Sequence, residues 1–255
     1  MKIGIICAMP PEFDALAAPL GRRSAVLPGP LRRECFQPAG HLIQLVQSGI
    51  GCDNATQAAH QLLEEQSPDL LITSGFCGAI LPGLKAGQIV VASSIWMDGE
   101  SGITNIPHQI SGVGLACIAG SLPHGNPAVK GSFITTQAIR SKKALAKSLP
   151  DRSPHPVVEM ESGAIARVAA QHGIPLLGIR AVSDTADEEL DFSLDEFCDD
   201  GLRRIVPGNV LLTVVRRPHI LPQLLRLGRS SRLAANALTA ALPALISLLD
   251  TVSHR

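Results

Sequence analysis

Acidic residues stand where several apolar runs of this chain end, and acids so placed can move protons or grip hydroxyls. Glu12 lies four residues beyond the run Ile3–Ala8, after Pro10-Pro11. Glu159-Met160-Glu161 follows the apolar Pro156–Val158, and Ser183-Asp184 follows Leu176–Val182. Alternate residues of a strand share a face, so Glu159 and Glu161 point the same way. Two carboxylates leaving a buried strand are costly unless something binds them. Each position also has a plainer reading. Glu12 can open a helix with Pro in its first turn, Glu161 can complement the dipole of the next helix, and Asp184 can be an N-cap. The chemical reading of Asp184 is a general acid that keeps its proton through partial burial near other carboxylates. Asp187-Glu188-Glu189 reads as a solvated loop.

Two glycine turns accompany the acids, Ser48-Gly49-Ile50-Gly51 and Ser74-Gly75-Phe76-Cys77-Gly78. Such turns let a ligand approach backbone amides closely, although tight strand-to-helix turns without a ligand fit as well. The first offers only G-x-G, and no acid closes the second strand, which disfavours a dinucleotide cofactor. Neither a G-x-S-x-G elbow nor a phosphate-binding G-x-x-x-x-G-K-[ST] loop is present. Cys77 is either a nucleophile or, more simply, a small buried packing residue.

Strands and helices must alternate to position these residues. Ile3–Ala8, Leu42–Gln47, Leu70–Thr73, Ile89–Ala92, Ser132–Thr136, Val157–Met160 and Leu176–Ser183 read as strands, several apolar throughout as in a buried parallel sheet. Glu12–Leu20, Asn54–Glu65, Lys142–Ser148 and Ser162–His172 read as helices, the last stopped by Gly173 and Pro175. The alternation predicts one doubly wound α/β domain, whose ligands bind beyond the carboxyl ends of the strands.

Composition removes several function classes. Lys+Arg and Asp+Glu both total 22, so neither a globally basic nucleic-acid binder nor an acidic disordered chain is expected. With 45% hydrophobic residues and a mean hydropathy of +0.23 the chain can bury a core. One Trp, six Phe and no Tyr leave no ring-rich surface for stacking bases, so no nucleic-acid partner is expected. Six scattered Cys without C-x-x-C and eight His without H-E-x-x-H predict neither a disulfide framework nor a metal site. The opening MKIGIICAMPPEFD lacks the features of a signal peptide, which makes the cytoplasm the expected compartment.

The charge is unevenly spread. Residues 201–255 hold eight Arg against the single acid Asp250. RRPHILPQLLRLGRSSRL sets five Arg among leucines, and Leu233–Leu249 then runs 17 residues without a charge, too few to span a membrane. Residues 206–255 thus read as a basic and apolar helical extension of a domain over 1–205. The segment 216–249 either lies on an anionic membrane surface or packs as a terminal helix on the core or a dimer partner.

Five ordered segments carry a resemblance: MKIGIICAMPPEFDAL, QSGIGCDNA, PDLLITSGFCGAILPGLKAGQIVVAS, VVEMESGAIARVAAQHGIPLLGIRAVSDTADE and FSLDEF. Over residues 1 to about 200 they are similar to the nucleoside phosphorylase and nucleosidase superfamily. The resemblance implies a mixed, mainly parallel central sheet flanked by helices, and cleavage of a nucleoside's N-glycosidic bond without metal or organic cofactor. The opening resembles the branch that cleaves 5′-methylthioadenosine and S-adenosylhomocysteine, in which Glu12 matches the glutamate that activates water. Asp184 matches the acid that protonates purine N7, Glu161 the carboxylate that holds the ribose hydroxyls, and Met160 the side chain beneath the sugar. Ile50 matches a wall near the 5′ substituent, Ala138-Ile139 the base-stacking stretch, and Glu159 is counted among the substrate-binding residues.

Three departures stand out: Phe76 replaces a serine near the water site, Ile139 replaces an aromatic residue, and 98–112 looks shortened. The N-terminal Arg-containing phosphate motif of the phosphorylases has no counterpart here. A homodimer acting on a small-molecule nucleoside is implied. The tail resembles that of the hopanoid-associated members, which implies adenosylhopane as substrate. A methylthioadenosine/adenosylhomocysteine nucleosidase, a phosphate-dependent phosphorylase and a nucleoside-sensing module are the alternatives.

Overall fold

Apolar strands form the centre of the molecule and fix where the acids emerge. The computed structural model describes residues 1–107, 128–138, 140–189, 192, 194–199 and 201–253. The strands are β1 (Lys2–Cys7), β2 (Arg23–Val26), β3 (Arg32–Phe36), β4 (Leu42–Gln47), β5 (Leu70–Ala79), β6 (Ile89–Gly99), β7 (Gly102–Asn105), β8 (Val129–Thr135), β9 (Val157–Glu159) and β10 (Leu176–Asp184). The helices are α1 (Pro10–Ala17), α2 (Cys52–Gln66), α3 (Lys142–Lys147), α4 (Ser162–Gln171), α5 (Pro207–Arg216) and α6 (Leu221–Ser253).

Among the described residues ten strands join one mixed sheet, with helices on both faces. β1 lies parallel between β4 and β5, and β5 is parallel to β10. β8 is parallel to β6 and β9. The sheet then turns back on itself: β10 runs antiparallel to β6, and the last two residues of β5 pair antiparallel with β9. β5, β10, β6, β8 and β9 therefore form a closed ring, while β4, β3 and β2 continue the open edge.

Two apolar layers sandwich the sheet. Ala55, Ala58, Ala59, Leu62 and Leu63 of α2 recur at helical spacing and pack with Ile165, Val168 and Ala169 of α4 over Ile6 and Leu71. On the opposite face α1 and α6 cover Ile3, Ile5, Ile72 and Ile179. From Ala234 to Leu249 the uncharged part of α6 puts Leu238, Ala241, Leu242, Leu245 and Ile246 into that layer. Thr239 Oγ1 donates to the Ala15 carbonyl, 2.9 Å away. The beginning of α6 and α5 form a smaller cluster, in which Val210, Val214, Leu224 and Leu227 surround Phe192, Phe197 and Ile220. Leu211, Leu212, Val215, Leu221 and Leu225 remain exposed. Among the described residues, no helix is long and apolar enough to cross a membrane.

The expected strands are all present, but β8 begins three residues earlier, at Val129, and two others run further. β5 continues through Ser74–Gly78, read from the sequence as a turn, because those residues pair with β10. β6 likewise extends past Ala92 to Gly99, where β7 pairs with it. β2, β3 and β7 were not anticipated: Arg32-Arg33-Glu34 hides the alternation of β3, and β2 is wholly exposed.

Leu245→Ala should destabilise the protein by about 2–5 kcal/mol, read from the urea midpoint. Leu211→Ala, on an exposed face, should change stability by less than about 0.5 kcal/mol. Equal shifts would show that the end of α6 is not part of the core.

Candidate active site

Arg180, the one charge within the buried interior of β10, organises the acids. Only 1% of it is exposed. Nη2 pairs with Glu159 Oε2, reaches Glu161 Oε2 at 3.2 Å, and donates to Ser162 Oγ at 3.1 Å. Nη1 donates to the Phe76 carbonyl at 3.1 Å. Burial opposes the guanidinium charge, but Glu159, Glu161 and Glu12 outweigh it and hold the group more firmly protonated than usual.

Glu12 occupies the first turn of α1, behind Pro10 and Pro11, so the plain reading of a helix start is realised. Its carboxylate nevertheless turns back into the protein. Oε2 accepts the N–H groups of Ala8 (2.9 Å) and Met9 (2.8 Å), while Oε1 accepts that of Phe76 (2.7 Å). A Cβ on residue 75 would stand 2.6 Å from Glu12 Oε1 and 2.8 Å from Arg180 Nη1, and φ there is +153°, so glycine is required. Burial pushes the Glu12 carboxyl above its ordinary range, against the opposing pull of Arg180 and the three N–H groups.

At the end of β9 the two glutamates divide the work. Glu159 Oε2 accepts the N–H groups of Glu161 (3.1 Å) and Ser162 (2.7 Å), and Oε1 receives the Thr135 hydroxyl. Glu159 therefore satisfies the first amides of α4, the task that the sequence offered to Glu161. Glu161 points elsewhere: Oε1 accepts the Gly51 N–H at 3.0 Å, and Oε2 faces Arg180. Burial raises its carboxyl to about 7, with Glu159 and Glu12 adding to the rise and Arg180 opposing it.

Ile50 and Met160 meet in one apolar cluster with Ala8, Met9, Cys198 and Leu202. The loop at Leu202 is pinned there, since its carbonyl accepts the Ile50 N–H at 2.8 Å. The Phe76 ring packs instead against the cluster beneath α1 and α6. Ile139 and the end of 98–112 lie outside the described residues. Cys77 is buried, and burial first, then Asp184 and Glu159, keeps its thiol protonated, consistent with packing and not with a nucleophile.

Asp184 ends β10 and no helix begins after it, so it is not an N-cap. Oδ1 accepts the Ser183 hydroxyl at 2.6 Å, and Oδ2 pairs with the buried Lys142 ammonium. The expectation of carboxylates around Asp184 thus gives way to a cation from α3, which no sequence signal identified. Arg180 was also missed, although a lone Arg inside LLGIRAVSD carries a signal: such a charge needs buried partners.

The chain matches the Phosphorylase superfamily over residues 2–206 and belongs to it. Its fold is shared with solved structures of several nucleosidases. The 5′-methylthioadenosine/S-adenosylhomocysteine nucleosidase of Neisseria meningitidis, in complex with methylthio-immucillin-A, is 24% identical with a TM-score of 0.71, covering 97% of this chain and 99% of that one. Futalosine hydrolase of Helicobacter pylori is 18% identical with a TM-score of 0.71, covering 97% of each chain. The Colwellia psychrerythraea methylthioadenosine/adenosylhomocysteine nucleosidase, in complex with adenine, is 23% identical with a TM-score of 0.66 and covers 96% of each.

The raised Glu161 carboxyl has a stability signature. It loses its proton near 4.5 in the unfolded chain and near 7 in the folded one, so its contribution to stability falls as pH rises through that interval. Glu161→Gln should therefore raise the melting temperature at pH 8 and change it little near pH 4. The same shift at both pH values would refute the assignment.

Proposed function

We propose that this protein is a purine nucleosidase, hydrolysing the N-glycosidic bond of a 5′-modified adenosine and releasing adenine. The observation that carries this reading is the convergence of Glu12 and Glu161, both buried, on Arg180 at the carboxyl ends of the strands. A carboxylate has about four acceptor positions. Three on Glu12 are taken by backbone N–H groups, and the fourth, on Oε1, is left to orient and deprotonate water. Glu161, after Gly51 and Arg180, keeps two positions for the vicinal ribose hydroxyls.

Cleavage passes through an oxocarbenium-like state, which buried negative charge stabilises. Asp184 delivers a proton to N7 so that adenine leaves neutral. Glu159 acts from behind by orienting Arg180 and the start of α4, while Met160 and Ile50 wall the sugar and its 5′ group.

The finer reading is adenosylhopane as substrate, met at a membrane surface. Its support is the apolar wall formed by Met9, Ile50, Met160 and Leu202, and the exposed leucines of α5 and early α6 beside Arg216, Arg229 and Arg232. Because α6 beyond Ala234 is core, deleting the tail would unfold the protein; the pair Leu211→Ser and Val215→Ser tests the surface instead. The native protein should float with anionic liposomes and the double variant should not; flotation of both would take the contact away from this surface, and flotation of neither would remove it.

Adenine release from methylthioadenosine and adenosylhopane, each with and without phosphate, tests the activity. Release without phosphate is expected, and Glu12→Gln should lower kcat by about 10²–10⁴-fold. The acid limb of kcat/KM should lie above the ordinary carboxylate range, because Glu12 must be ionised to act. Release only with phosphate would overturn hydrolysis; no release from any nucleoside, with binding intact, would leave a sensing module.

A further inference from the structure

Lys142 opens α3, is 6% exposed, and pairs through Nζ with Asp184 Oδ2. The same Nζ donates to the Thr185 carbonyl at 2.6 Å. The pair sits on bare backbone: a Cβ on Gly78 would stand 2.5 Å from Asp184 Oδ2 and 3.1 Å from Lys142 Cε. The start of α3 is fastened by Glu189, whose carboxylate accepts the Ser141 hydroxyl (3.0 Å) and the N–H groups of Lys142 (3.3 Å) and Lys143 (3.1 Å). Burial opposes it, but these bonds keep the Glu189 carboxyl below its ordinary range and ionised.

The charged surroundings are defined. Cys77 faces the pair from β5 and Arg180 lies four residues back on β10. In the following loop Glu188 holds the Thr185 N–H and faces Arg226 at 3.8 Å. On the lysine side, Arg140 is engaged by Asp98. None of these places a second carboxylate oxygen in hydrogen-bond contact with Lys142 Nζ, so Asp184 is its acidic partner among the described residues.

An ammonium against a carboxylate favours the ionised form of the acid, yet the proposed reaction needs a proton leaving Asp184 toward the base. We infer that Lys142 is the proton source for Asp184, the two side chains acting as one acid whose resting proton lies on Lys142 Nζ. As the C1′–N9 bond breaks, its electron pair passes to the purine and N7 takes a proton from the Asp184 carboxyl. Asp184 takes one from Lys142, which becomes a neutral amine and regains its proton from solvent. Lys142 touches the base only through Asp184 and is therefore a positioning residue. The inference rests on the nucleosidase reading.

The test is kcat/KM for adenine release, across about pH 5 to 9.5, for the native protein and Lys142→Met. Met keeps the length of the side chain without a proton to give. The variant should fall by about 10²-fold or more at pH 8.5, and the gap to the native rate should narrow as pH falls, because solvent then supplies the proton that Lys142 no longer gives. Parallel profiles, scaled equally at every pH, would overturn the role of Lys142 while leaving the nucleosidase intact. No turnover by the native protein would overturn both. Should Lys142→Met fail to fold, the native alkaline limb decides: it should move with temperature as an amine ionisation does, and a carboxylic-acid dependence would sink the inference.

Discussion

One buried cation among three buried carboxylates is the constraint on which the site depends. Charges removed from water are costly unless each is paired and its remaining polar positions are filled. Arg180 meets Glu159 and Glu161 directly and lies within electrostatic reach of Glu12. Burial raises the carboxyls of Glu12 and Glu161, and for Glu161 the neighbouring Glu159 and Glu12 add to the rise. The protein tolerates these buried acids because backbone N–H groups from Ala8, Met9, Phe76, Gly51 and Ser162 converge on the three carboxylates. The backbone thus fixes where each carboxylate stands.

The sheet supplies the placement. β5 is shared by two arrangements: its first part lies between β1 and β10, and its end turns to β9. Closure of the ring brings the end of β9, carrying Glu159 and Glu161, to the strand that carries Arg180. Were β5 to stop at Thr73, as its apolar run suggests, the ring would not close on β9, and β9 would reach β10 only the long way round through β8 and β6. The two glycines in the extension allow Glu12, Arg180, Asp184 and Lys142 to approach the backbone of β5.

Much of the site was legible because it follows strand ends, a rule that depends only on local pattern. Glu12, Glu161 and Asp184 were singled out as candidates that way, and seven strands and the alternating fold follow from the same pattern. What stayed hidden depends on pairing across long separations. Arg180 and Phe76 are 104 residues apart in sequence, and Lys142 and Thr185 are 43 apart. Nothing in the Lys142-Lys143 pair says which lysine is buried. The outer strands escaped for a related reason: β2 is wholly exposed, and β3, between β2 and β4, opens with Arg32-Arg33-Glu34 where a central strand would show an apolar run.

The C-terminal helix joins two environments in one rod. At about 1.5 Å per residue its 33 residues extend roughly 50 Å. One end is clamped in the layer beneath β1 and β10, and the other carries exposed leucines and arginines. Leu224 and Leu227 hold that second end on α5 as well, so the rod works as a keel. Anything seated on its outward face would set the heading of the whole sheet, and with it the direction in which the strand ends face.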